Sequence, residues 1–105
     1  MGINEELIRQ LMTAFLKEPL KTLKRFQREY HLHSHDPILL YYWGAALAEM
    51  GRFDDAIKKL ELYHHHYPND PRPLYVWGAV LSELGRPIEA QAKFEKADML
   101  ILLNS

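Results

Sequence analysis

The residues best suited to chemistry in this chain are six histidines in two clusters: His31, His33 and His35, then His64, His65 and His66. Imidazole is a common transition-metal ligand, so a zinc or nickel site is conceivable. Both clusters fall where loops between longer elements are expected, so no helical His-x-x-x-His pair is anticipated. No cysteine is present to join them. Histidine near a helix C-terminus is favoured by the helix dipole in any case. A metal site is therefore not expected beyond weak adventitious binding, and no cofactor is implied.

Other catalytic patterns are missing from the sequence. It carries no glycine-rich phosphate loop and no nucleophile motif, and no histidine–carboxylate pairing at defined helical spacing is anticipated. Glu49 and Glu83 could share acid/base work only as a pair, and nothing else in the sequence supports that role. Lys21, Lys24, Arg25 and Arg28 form a basic stripe that could meet RNA, but no aromatics interleave with it, so a solvated face is the reading. Net charge is -1 and the pI is near 6.6, which sets up no global field for nucleic acid or an anionic membrane. The chain is not expected to be an enzyme.

A chain of 105 residues without cysteine is expected to be one domain spanning 1–105 with a modest core and no disulfide scaffold. The first residues lack the basic region and apolar run of a secretory signal. Met1-Gly2 resembles the start of a myristoylation site, but Glu6 occupies the position that needs Ser or Thr. No apolar stretch reaches the roughly 18 residues of a membrane helix. A soluble, cytoplasmic protein is the expectation.

What positions these side chains is an internal duplication. Residues 36–69 laid over 70–103, a shift of 34, give 14 identities, where about 2 would arise by chance from average composition. They include Trp43/Trp77, Gly44/Gly78, Ala45/Ala79, Glu49/Glu83, Gly51/Gly85, Ala56/Ala90 and Lys59/Lys93. Asp36-Pro37 and Asp70-Pro71 each supply a capping carboxylate followed by proline, a helix start. Gly51 and Gly85 follow where a helix must end in a left-handed residue. After the glycine a second stripe begins, with Phe53, Ala56, Ile57, Leu60 and Tyr63 at spacings of three and four. In the later copy Ile88, Gln91 and Ala92 disturb this pattern, while Ala90, Phe94, Ala97 and Ile101 keep a face. Each unit is thus a helix pair. Gly44 and Gly78 lie mid-helix, where glycine costs about 1 kcal/mol against alanine, so a close helix approach is predicted there.

These residues carry a resemblance. Leu40, Trp43, Gly44, Leu47, Gly51, Phe53, Ala56, Leu60 and Pro68 resemble the tetratricopeptide repeat, as do Leu74, Trp77, Gly78, Leu81, Gly85, Ala90, Phe94 and Ala97 one period later. Tyr63 departs from the family pattern, which has a small residue there. Leu102 stands where a proline normally closes the repeat, so the last helix is expected to run on. Residues 3–35 look like a degenerate first copy. Ile3, Leu7, Ile8, Leu11, Met12, Phe15 and Leu16 form a stripe after a cap near Asn4, Lys17 replaces the turn glycine, and Pro19 opens a second helix with Leu20, Leu23, Phe26 and Tyr30 on its apolar face. The resemblance implies an all-α, right-handed α-solenoid of helix-turn-helix pairs, about six helices, with repeats at 3–35, 36–69 and 70–103.

By the same resemblance, the first helix of each pair lines a concave groove that takes a peptide or helix of a partner protein. The groove would be lined by Ile38, Tyr41, Tyr42, Ala45, Ala48 and Glu49, then Arg72, Tyr75, Val76, Ala79, Ser82 and Glu83. Tyrosines above small residues make an apolar surface with polar handles; the same tyrosines would also serve to pack one repeat on the next. Members that clamp a carboxylate tail use lysine and asparagine where this chain has Tyr41, Ala45, Tyr75 and Ala79, so an apolar segment is the better fit. The implied function is an adaptor or dedicated chaperone, similar to small bacterial secretion chaperones. The alternative is a self-assembling scaffold. Met99, Leu100, Ile101, Leu102 and Leu103 put apolar groups in every direction on the last helix and would contact a second copy, as in a homodimer, or a partner.

Overall fold

A computed structural model describes residues 5–104. The expectations for Met1 and Gly2, for the stripe residue Ile3 and for a cap at Asn4 lie outside the described residues. Six helices follow one another: α1 (Glu5–Lys17), α2 (Pro19–Leu32), α3 (Ile38–Glu49), α4 (Phe53–His66), α5 (Arg72–Glu83) and α6 (Pro87–Asn104). They pack as the pairs α1/α2, α3/α4 and α5/α6. Each second helix also touches the first helix of the next pair, and α3 lies beside both α1 and α5.

Local chemistry sets the helix ends. An Asp36 carboxylate oxygen accepts the backbone N–H of Ile38 at 3.1 Å, and Asp70 accepts that of Arg72 at 3.0 Å. Pro37 and Pro71 already have helical dihedrals, so each aspartate acts as the N-cap although the regular hydrogen-bonded helix begins two residues on. Gly51 and Gly85 both have φ of 75°. Beyond them, Arg52 N–H donates to Leu47 O and Arg86 N–H to Leu81 O, each at 2.9 Å. Gly51 N–H donates to Ala48 O at 3.0 Å and Gly85 N–H to Ser82 O at 3.1 Å, which closes each terminal turn in a Schellman motif. The first pair turns differently. Glu18 alone separates the helices, its carbonyl accepts both the backbone N–H and the hydroxyl of Thr22, and Pro19 starts α2 without needing a donor.

Close approach within the pairs depends on the mid-helix glycines. A Cβ placed on Gly44 would stand 3.1 Å from the Leu60 side chain and 3.4 Å from the Ala56 carbonyl oxygen; one on Gly78 would stand 2.5 Å from the Phe94 ring. The core runs through Leu11, Leu23, Phe26, Leu39, Leu47 and Ala56, with Tyr63 and Leu60 buried further along and Leu74, Ala97 and Leu100 under the last pair. Lys59 lies over the Trp43 ring with Nζ 4.2 Å from its centroid, and Lys93 repeats the contact on Trp77 at 3.9 Å.

Two details correct the sequence reading of the first pair. Leu16 is 84% exposed and Leu20 is exposed as well. Among the described residues, only α2 and α3 cover α1, so its buried stripe is narrower than the run of apolar residues suggests. The last helix runs on as the missing proline implies, for 18 residues against 14 in α4. The Asn104 side-chain amide donates back to the Asn69 carbonyl at 3.1 Å.

Candidate functional site

Between α3 and α5 lies an open trough of about 600 Å³. Ala45, Ala48 and Glu49 line one wall, Tyr75, Val76, Ala79, Val80 and Glu83 the other, and Gly51 and Phe53 close the end behind Glu49. The residues on each wall recur at three and four positions, so each set shares one helix face. Small side chains on facing helices leave the space open. Glu49 and Glu83, both exposed, put two carboxylates at the same end. Tyr75 is held from behind, its hydroxyl donating to Asp98 at 2.5 Å and its ring stacking on Phe94 at 6.4 Å between centroids. The bond to Asp98 raises the phenol above its ordinary pKa.

The remaining groove candidates sit elsewhere. Tyr41 and Arg72 lie toward the N-terminal ends of their helices, within a polar cluster at the joint between the second and third pairs. The Tyr63 hydroxyl donates to Asp70 Oδ2 at 2.6 Å. Arg72 donates to the same carboxylate through Nε and a terminal nitrogen, at 2.8 Å for the shortest bond, and to the Tyr63 oxygen at 3.1 Å. Its guanidinium rests 5.0 Å from the Tyr41 ring centroid. Tyr41 also meets Tyr63 at 5.6 Å and Tyr42 at 5.0 Å, and Tyr42 packs on the core. Ile38 is half-buried in the first turn of α3.

The electrostatics of this joint are those of a fastener. Burial raises the Tyr63 phenol, and its bond to the Asp70 carboxylate adds to the rise. Burial alone would raise Asp70, but the bonds from Arg72 and Tyr63 outweigh it and hold the carboxyl below its usual range. Arg72 is pushed up chiefly by its bond to Asp70, and Tyr41 chiefly by burial. Sequence spacing did not reveal this cluster, because its members meet only once the pairs stack; Tyr63, in a place the repeat pattern keeps small, was the available signal.

The histidines depart from their expected loops. His31 lies within α2 and His64, His65 and His66 within the last turn of α4. Ser34 and His35 take positive φ of 56° and 59°, which folds the chain back so that His35 Nε2 meets His31 Nδ1 at 3.0 Å. A pair four residues apart therefore exists, contrary to the sequence reading. His33 instead joins Glu29 at 3.1 Å, a histidine–carboxylate pair four residues apart that also runs contrary to the sequence reading. Among the described residues no three metal-donor side chains converge.

The terminal apolar run is divided by the helix. Leu100 is only 9% exposed and packs with Leu74 and Ala97, so it belongs to the interior and not to the candidate contact set. Met99, Ile101, Leu102 and Leu103 stay exposed. Of the basic stripe, Lys21 pairs with Glu18 and Arg25 with Glu29. No helix among the described residues is long and apolar enough to cross a membrane.

Comparison with known proteins returns a fold. No family model and no curated protein matches the chain. Among solved structures it is similar to MamA MSR-1 C2, a tetratricopeptide-repeat protein, with a TM-score of 0.63 and 20% sequence identity over 93% of this chain and 67% of that one. The chain has the tetratricopeptide-type all-α fold of six helices.

Proposed function

We propose that this chain is a protein-interaction module, an adaptor or dedicated chaperone, that holds an apolar peptide or amphipathic helix of a partner in the trough between α3 and α5. The observation that carries the reading is the trough's composition. Ala45, Ala48, Val76 and Ala79 present apolar surface open to solvent between helices that are themselves fixed by core contacts. An amphipathic helix inserts its small or apolar face into such a channel and leaves its polar face in water. The tetratricopeptide-type fold, similar to that of MamA, supports a binding role over catalysis. In this reading Tyr41 and Arg72 brace the joint that holds the trough walls apart, the client is a protein and not nucleic acid or membrane, and the setting is cytoplasmic.

The test is substitution of the exposed wall residue Ala79 by arginine, which fills the trough without touching the core. Affinity for a client identified with the wild-type chain should fall at least tenfold while the helical circular dichroism stays unchanged. Undiminished binding by Ala79→Arg would exclude the trough as the site.

A second reading is a self-assembling scaffold. The exposed Met99, Leu102 and Leu103 on α6 favour it.

A further inference from the structure

We infer that α6 carries a homodimer interface, in which two copies of this helix pair antiparallel through their outward faces. The inference rests on the self-association reading and is independent of the trough. Ile88 is 86% exposed, Met99 60%, Leu102 75% and Leu103 73%. At 100° per residue these four, with Ala92 between them, share one side of α6, opposite the side that buries Ala90, Ala97 and Leu100. The spacing from Ile88 through Ala92, Lys96 and Met99 to Leu103 runs four, four, three and four residues, near the three-and-four spacing of the seam that two paired helices present to each other.

The repeat itself provides the control. One period earlier, α4 carries Asp54, Lys58, Glu61, Leu62 and His65 at the positions of Ile88, Ala92, Glu95, Lys96 and Met99, and all five are exposed. A following helix pair does exist after α4, and it leaves that face in water. By this analogy an additional pair after α6 would not cover Ile88, Ala92 or Met99 either. At the places of Ile88, Ala92 and Met99 the face is apolar in α6 and polar in α4, a difference that helix pairing within the fold does not require.

The charges on the stripe select a second copy as the occupant. With a two-fold axis between residues 95 and 96, an antiparallel α6 pair sets Ile88 against the partner's Leu103 and Ala92 against the partner's Met99. At the centre Glu95 meets the partner's Lys96, and Lys96 meets the partner's Glu95. The face is thus complementary to itself in both apolar pattern and charge, as a two-fold interface requires. In the single chain both groups are exposed. Glu95 accepts from Gln91 on its own helix, and Lys96 lies 3.5 Å from His64 Nε2; both contacts are exposed, so both side chains can turn to a partner. The stripe from Ile88 to Leu103 is about 22 Å long at 1.5 Å per residue. A contact of that length is at the small end for stable complexes, and a dimer with a dissociation constant on the order of micromolar to tens of micromolar is the expectation.

Sedimentation equilibrium of the full chain and of charge-reversed variants tests this. Wild type should move from monomer to dimer across the micromolar range. Glu95→Lys and Lys96→Glu should each weaken the dimer at least tenfold, by setting like charges together at both central contacts. The two combined should restore it to within about threefold, which a merely structural defect would not do. A wild-type monomer up to millimolar concentration overturns both the interface and the self-association reading. A dimer that ignores the single reversals, or that the double reversal fails to restore, overturns the antiparallel α6 geometry and leaves self-association by another face.

Discussion

The Tyr63 hydroxyl and the Asp70 carboxylate meet at 2.6 Å, and through them the end of one helix pair is bound to the start of the next. Tyr63 is buried and Asp70 also caps α5, so the bond links a core side chain to a backbone terminus. Tyr63→Phe keeps the ring and removes only the donor. It should cost about 1.5–3 kcal/mol, the range for a hydrogen bond to a charged group, measured by urea denaturation. The sign of the acid response follows from Asp70. Its folded pKa lies below the unfolded value of 3.8, so its stabilisation is complete above that pH and is lost as pH falls through the folded pKa. Acid titration of Tyr63→Phe should show a shallower loss than wild type; an identical slope would mean that the bond contributes nothing.

Gly78 and Gly44 occupy the same repeat position but should answer differently to alanine. At Gly78 the new methyl would come within 2.5 Å of the Phe94 ring, and overpacking of that degree costs about 1–3 kcal/mol. The helix gains about 1 kcal/mol from alanine, which does not offset the upper part of that range. At Gly44 the nearest atoms are at 3.1 Å, a misfit of a few tenths of an ångström. Thermal denaturation should place Gly78→Ala clearly below wild type and Gly44→Ala within about 1 kcal/mol of it, the two terms there being comparable.

The duplicated lysine–tryptophan contact predicts a matched pair of effects. Lys59→Met and Lys93→Met retain an apolar side chain over the ring and delete the charge. Each should cost about 0.5–1 kcal/mol and shift the fluorescence of one tryptophan, Trp43 or Trp77, leaving the other unchanged. A spectrum that fails to move in either variant argues against the ring contact in solution.

Much of this was legible in the sequence and some was not, for reasons that can be named. The 34-residue shift, the capping aspartates and the turn glycines each act within one pair, so local spacing exposed them. Ala45, Ala79, Glu49 and Glu83 were readable as one surface because they follow helical spacing on adjacent first helices. Arg72 and Tyr41 were assigned to that surface as well, yet their partners come from α4 and the inter-pair turn, which no single-helix pattern encodes. The run from Met99 to Leu103 has no period of its own. Only the position of Leu74 opposite α6 decides that Leu100 turns inward. The His31–His35 contact depends on two consecutive left-handed residues, a turn that Ser34 and His35 do not advertise.

That inward turn makes a further prediction. Leu100→Ala should destabilise the fold by about 2–3 kcal/mol, the low end for a buried leucine because the site lies at the edge of the core. Met99→Ala should change stability by no more than about 0.5 kcal/mol, as expected for an exposed position. Equal effects in a denaturant titration would contradict the division of the terminal helix described above.

His64 supplies the response near neutral pH. Its Nδ1 is buried and has no hydrogen-bond partner among the described residues; burial first, then Lys96 and Lys93, lower its pKa below 6.5. The unfolded chain therefore takes up the proton more readily. Stability should be full above pH 6.5 and decline as pH falls through and below that value. His64→Gln should flatten this part of the profile; persistence of the full slope would assign it to another group.

The alanines of the trough have a consequence for the thermodynamics of capture. Ala45, Ala48 and Ala79 possess no side-chain rotamers, so a ligand settling on them immobilises almost nothing on this side of the contact, whereas a floor of methionine or lysine would forfeit up to about 2 kcal/mol of conformational entropy per side chain. The ordering cost falls on the incoming segment. Stiffening that segment, by a helix-favouring substitution or a staple across one turn, should therefore strengthen association more than any rigidification of the receptor could.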